Sequence, residues 1–220
     1  MNTKTTRTYS LTINVAFSTR TQRDERVLKI AESFGIGLED REWTIFKDFK
    51  VDIDKGDIIY INGQSGSGKS TLLREVSKGL AAQGLSVANI DDVVFEDKPV
   101  ISQIGKTLEE ATQLLALAGL SDAYLYIRKP SELSDGQKYR FRLAKLLEQN
   151  ADVWVADEFG AVLDRTTAKV VSLNFSKTAR AHGKIVVLAT THTDLTSELA
   201  PSLTIHKRFQ DRVEVTRADD

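Results

Sequence analysis

The octapeptide GQSGSGKS at residues 63–70 follows the apolar run Ile58, Ile59, Tyr60, Ile61 and precedes the helix-like stretch TLLREVSKGLAA. A strand, a glycine-rich loop and a helix in that order form a phosphate cradle. The glycines let successive backbone N–H groups turn inward around an anion, and the following helix N-terminus adds partial positive charge at the same point. Gly63, Gln64, Ser65, Gly66, Ser67 and Gly68 form the loop, and Thr71 continues it into the helix. Lys69 can reach the β and γ phosphates, and Ser70 can offer its hydroxyl to Mg²⁺. A plain glycine-rich turn would not require a buried strand before it and a helix after it.

Composition narrows the class. The chain has 220 residues, 41% hydrophobic and 28% charged, enough to bury a sizeable core, and one compact unit over 1–220 is expected. Thirty basic against thirty-one acidic residues leave a net charge of -1, so no whole-protein field attracts nucleic acid or an anionic membrane. The absence of cysteine excludes disulfides, thiolate metal sites and a cysteine nucleophile. No apolar run is long enough to span a bilayer, and MNTKTTRTYS has no apolar signal core. A soluble, cytoplasmic protein is expected.

Upstream of the loop, residues 9–17 and 43–53 alternate apolar and polar, as strands do. Between them Val27, Ile30, Ala31 and Phe34 share a helical face ahead of Gly35. Residues 1–56 thus read as an antiparallel β layer with one helix. Downstream, helices are expected over 107–118, with a capping box of Thr107 and Glu110, over 121–128 and over 135–149. Strands at 151–156 and 184–189 flank a helix at 166–180, the rhythm of a parallel sheet, and 203–209 with 212–216 reads as a closing hairpin.

The strand VWVA ends in two acids. Asp157 can hold Mg²⁺ beside Ser70, and Glu158 can polarise an attacking water. Before it, LSDGQ opens a helix, so that Ser134, Asp135, Gly136 and Gln137 present a second anion-binding surface. Here the sequence resembles the ATP-binding-cassette (ABC) ATPases, whose signature is normally LSGGQ. The resemblance implies an α/β P-loop NTPase fold with a mixed sheet and a small helical subdomain at 105–150. It also implies a signature that acts across a dimer, closing over the γ-phosphate held by a second copy.

Within that resemblance Asp164 matches the D-loop, His192 in ATTHTD the switch histidine, and Gln103 in ISQIG the glutamine that reaches Mg²⁺, with Gln113 nearby as another choice. Phe34 and Trp43 are the two aromatics available to stack on adenine. The implied cofactors are ATP and Mg²⁺, and the implied assembly is a homodimer formed on ATP binding.

The chain departs from the family pattern in three places. Asp135 replaces a signature glycine and brings a carboxylate toward a polyanion, unless it points outward or pairs with Lys138 or Arg142. Phe159 replaces the usual proline. Lys69 to Ser134 spans only sixty-five positions, so the helical part that would dock on a membrane partner is short. These features resemble a stand-alone cassette of the kind sometimes joined to acetyltransferase-like domains in archaeal and phage-related proteins, with FGIGLEDREWTIF and DEFGAVLDRTTAKVV as the carrying runs. The expected output is ATP hydrolysis that drives an unidentified protein partner. A transporter ATPase subunit is the second reading, and a nucleic-acid module carried by the basic run Lys138, Arg140, Arg142 and Lys145 is the third.

Overall fold

The computed structural model describes residues 7–192, 194–208 and 212–218. Two antiparallel strands, Thr8–Thr19 (β1) and Arg41–Asp54 (β2), pair from Thr8 opposite Asp54 to Thr19 opposite Arg41. Their register shifts near Val15, where Asn14 accepts the Asp48 N–H and Asp48 takes a positive φ of 48°. The helix Glu25–Phe34 (α1) joins them. Asp24 caps its start by accepting from Arg26 and Val27, and Gly35 ends it in the left-handed conformation.

The central sheet has six strands. Ile58–Gly63 (β3), Val87–Asn89 (β4), Val153–Ala156 (β5), Ile185–Ala189 (β6), Leu203–Lys207 (β7) and Val213–Arg217 (β8) lie in the order β4-β5-β6-β3-β7-β8. All pairs are parallel except β7 with β8, so the sheet is mixed. Its other face-covering elements are the helices Lys69–Ala82 (α2), Leu108–Leu117 (α3), Ala123–Tyr126 (α4), Asp135–Glu148 (α5), Arg165–Ala181 (α6) and Thr196–Leu199 (α7).

Side-chain alternation along β3 assigns the two cores. Ile58 and Tyr60 pack with α3, α5 and α6 on one face, whereas Ile59 and Ile61 pack with α2 and the β1–β2 layer on the other. Strands covered on both faces read as unbroken apolar runs, which is why IIYI and VWVA show no alternation. Helix α2 lies so close to β1 that a Cβ at Gly79 would come within 2.8 Å of Leu11.

Two expectations from the sequence change, and one element is added. Thr107 caps α3 by accepting the Glu110 N–H, but Glu110 in return accepts from Lys106 rather than Thr107, so the box is not reciprocal. The helix expected over 121–128 is a single turn capped by Asp122. Strand β4 was not foreseen: three residues, one of them the small Ala88, carry too little period to register.

Candidate functional site

The C-terminal ends of β3, β5 and β6 lie side by side, and open α/β sheets bind ligands at such strand ends. A cleft of roughly 420 Å³ opens there, lined by Ile45, Ser65, Gly66, Gly68, Lys69, Ser70, Thr71, Asp157, Glu158, Ala161, Thr190 and Thr191. Topology therefore gathers the glycine loop and both acids, from strands distant in sequence, around one cavity.

The loop is fixed from below. Gly63 has φ 142°, and a Cβ there would collide with the Lys207 carbonyl on β7, so only glycine fits. Lys207 is fully buried, donates to the Arg208 carbonyl at 2.8 Å and places its ammonium 5.1 Å from the centre of the Phe46 ring. Ser67 Oγ is buried within the loop without a hydrogen-bond partner. At the mouth, the Lys69 ammonium donates to the Gln64 carbonyl at 2.8 Å. Burial pushes the Lys69 pKa down, against the pull of Asp157 and Glu158, which favour its charged form.

The acids sit on a strained turn. Glu158 has φ 47°, a left-handed conformation that costs a non-glycine residue about 1 kcal/mol or more and persists where surroundings over-determine it. Those surroundings are explicit. Glu158 N–H donates to Asp157 Oδ1 at 2.9 Å, Phe159 N–H to the Ala189 carbonyl at 2.9 Å, and Gly160 N–H to the Tyr139 hydroxyl at 3.0 Å. Phe159 is 1% exposed and packs against Phe175, so the aromatic in the usual proline position is a core residue.

The oxygen set at this end of the cleft, a serine hydroxyl and a carboxylate, suits a hard cation such as Mg²⁺, which takes one or two carboxylates and completes its shell with water and phosphate. Among the described residues there is no group of three or more His, Cys, Asp and Glu that could hold a metal ion.

His192 follows β6 but lies outside the cleft lining, which Thr190 and Thr191 supply instead. Its backbone is well held: the carbonyl accepts from the Tyr60 hydroxyl and the N–H donates to Thr190 Oγ1 at 3.1 Å. Burial and the nearby Asp194 push the Tyr60 phenol up to about 12, so it stays a neutral donor. The His192 ring is 3.9 Å from Asp194. Asp164 caps α6 by accepting the Thr167 N–H at 3.0 Å.

Ser134 caps α5 in a reciprocal box with Gln137, the two bonds being 3.3 and 2.9 Å. Ser134 and Asp135 are exposed, Gly136 and Gln137 partly so, and none lines the cleft of its own chain. The Asp135 side chain is 91% exposed, 4.0 Å from Lys138.

Gln103 is not brought to the cleft. Its amide is spent on the preceding loop, accepting from Glu96 N–H at 2.8 Å and donating to the Glu96 and Lys98 carbonyls. Gln113 lies in a separate groove beside Trp154 and His182. The acid that does feel Asp157 and Glu158 is Asp91, in the short turn after β4; burial first, then Asp157, pushes its carboxyl up. Sequence reading passed over Asp91 because β4 itself was unseen. Neither Phe34, 73% exposed at the end of α1, nor Trp43, 47% exposed, lines the cleft; Ile45 takes that wall. The basic run on α5 is engaged internally: Arg140 donates to the Gly136 and Gly119 carbonyls, Lys145 to the Gln103 carbonyl and Glu148, and Arg142 lies over Phe95. Arg142 is exposed and Lys138 partly so.

A family model described as ABC transporter matches residues 46–161. The aliphatic sulfonates import ATP-binding protein SsuB 2 of Mesorhizobium japonicum is 34% identical over 191 residues, covering 80% of this chain and 74% of that protein. The methionine import ATP-binding protein MetN of Streptococcus pneumoniae is 30% identical, covering 73% of this chain and 56% of that protein, so the chain spans about half the length of that relative. In fold the chain is similar to an ATP-binding cassette solved as a dimer in a post-hydrolysis state with ADP and phosphate, at TM-score 0.67 and 18% identity, covering 96% of this chain and all of that one. The chain therefore belongs to the ABC transporter family, as an ATP-binding cassette.

Proposed function

We propose that the chain binds ATP with Mg²⁺ in the cleft at 63–71 and hydrolyses it as a homodimer that moves a partner protein, in the cytoplasm. Two copies meet head to tail, so that Ser134, Asp135, Gly136 and Gln137 of each close over the nucleotide of the other. One observation carries this reading: the phosphate loop and both acids share a cleft, while the signature, capped and exposed, lies outside it. An exposed helix N-terminus that does not line the phosphate cleft of its own chain is available to a second copy.

In this reading the loop N–H groups and Lys69 hold the triphosphate, and Glu158 takes the proton of a water that attacks the γ-phosphorus. The new P–O bond forms as the bond to the bridging oxygen of ADP breaks, and phosphate leaves. Ser70 and Asp157 would hold Mg²⁺, which when bound neutralises phosphate charge. His192 and Asp164 stand on the two loops that border the cleft, at the ends of β6 and the start of α6.

The test is Glu158→Gln with ATP and Mg²⁺, followed by size exclusion and light scattering. The reading expects a dimer that persists until the nucleotide is removed; a monomer that still turns over ATP would overturn it.

Two classes of partner have support. The short stretch between the phosphate loop and the signature favours a soluble partner. The import relatives favour a membrane permease, and among the described residues no helix is long and apolar enough to cross a membrane by itself. Pull-down with the Glu158→Gln protein, from cytosol and from detergent-solubilised membrane in parallel, decides between them by the fraction that retains the partner.

A further inference from the structure

Helix α5 opens with the signature and, one turn later, reaches back into its own chain. Tyr139 is buried, and its hydroxyl accepts the Gly160 N–H at 3.0 Å, two residues after Glu158. Its ring meets Phe159 edge-on, centroids 6.4 Å apart and planes at 70°. Gly136, on the first turn of the same helix, lies beside the following segment, where a Cβ would make ordinary contact with the Val162 carbonyl at 3.4 Å.

The turn at 157–161 is otherwise bonded to itself and to β6: Glu158 N–H to Asp157, Ala161 N–H to the Glu158 carbonyl, Phe159 N–H to Ala189. Gly160 N–H is the backbone donor of this turn that reaches α5. A buried amide left without its partner is costly, so the turn follows the helix that supplies it.

We infer that Tyr139 is a positioning residue for hydrolysis: its hydroxyl transmits the placement of the signature helix, set by the second copy's nucleotide, to the strained turn that aims Glu158 at the first. Burial pushes the Tyr139 phenol far above its usual range, so the bond is independent of pH across the working range. The inference rests on the proposed role of Glu158.

Tyr139→Phe removes one oxygen and keeps the ring packing against Phe159. The expected result is a fall in kcat of about tenfold, the scale of one buried hydrogen bond, with ATP affinity unchanged within about twofold. In the Glu158→Gln background the same substitution leaves the ATP-bound dimer intact. Amide exchange over 158–163 rises, while exchange in β6 stays as in the unsubstituted protein. A merely structural role would lower ATP affinity, thermal midpoint and kcat together, and that outcome overturns the inference, as does unchanged kcat in an active protein. If the unsubstituted chain turns over no ATP, the reading of Glu158 fails by itself; unaltered exchange at 158–163 would then reject the Tyr139 link independently.

Discussion

Arg165 and Asp194 form an ion pair at 3.0 Å that ties the first residue of α6, next to Asp164, to the loop carrying His192. Asp194 also stands 3.9 Å from the His192 ring. The two loops bordering the cleft are thereby joined by a bridge that belongs to neither the phosphate loop nor the acids.

Because the Arg165 side chain is 73% exposed, the pair contributes little to stability. Asp194→Asn should leave the thermal midpoint within about 2 °C, since surface changes lie within roughly 0.5 kcal/mol. It should lower ATP turnover several-fold by freeing His192, and salt should mimic it weakly. Steady-state hydrolysis beside a melting curve checks both halves.

Asp135 faces outward on the first turn of α5, where a carboxylate favours the helix dipole but would oppose the phosphate of a second copy in the proposed dimer. Asp135→Asn should therefore act in opposite directions. The isolated chain becomes slightly less stable, and the ATP-bound dimer of the Glu158→Gln protein becomes tighter. Dimer dissociation measured at low and moderate salt, with the difference shrinking as salt rises, is the discriminating observation.

Gly63→Ala would force a methyl group into the Lys207 carbonyl at a φ that only glycine adopts comfortably. A loss of about 2 kcal/mol or more is expected, from strain and overpacking together. Because β3 and β7 must separate to admit the methyl group, nucleotide binding should fall with stability. Urea unfolding with and without ADP measures the two effects.

Asp152 joins β5 to the residue before β4, accepting from both Ser86 Oγ at 2.6 Å and Ser86 N–H at 3.0 Å. These bonds, the hydroxyl's first, hold its carboxyl below the usual 3.8. A depressed folded-state value stabilises the fold above the unfolded pKa, and that stability is lost as pH falls through the folded one. Asp152→Asn should thus lower stability at neutral pH and flatten the acid limb of the profile, the two proteins converging below about pH 4. A parallel acid profile in the two proteins would contradict it.

Local chemistry explains what could be read in advance. The phosphate loop, the Ser134 cap, Gly35 and the strand-end acids are short motifs whose residues do their work with near neighbours, and their places follow from sequence spacing. Gln103 and Asp91 show the opposite case. A lone glutamine has no periodicity to place it, and its amide was claimed by the 96–98 backbone; Asp91 meets Asp157 only because β4 pairs with β5 across more than sixty residues of chain. Ile45 was likewise passed over in favour of Phe34 and Trp43, since aromatic character is visible in a sequence and orientation on a strand is not. Tyr139 belongs to no short motif, and its hydroxyl meets the Gly160 N–H only through the packing of α5 on the turn.

The six-stranded sheet ends on β4, three residues long, and on β8, whose strand carries Glu214 and Arg217. Short and charged edges are poor templates for strand addition by another chain. If two copies meet and part as proposed, these two edges of the central sheet give little footing to the other way two sheets can meet, the irreversible growth of one into the next.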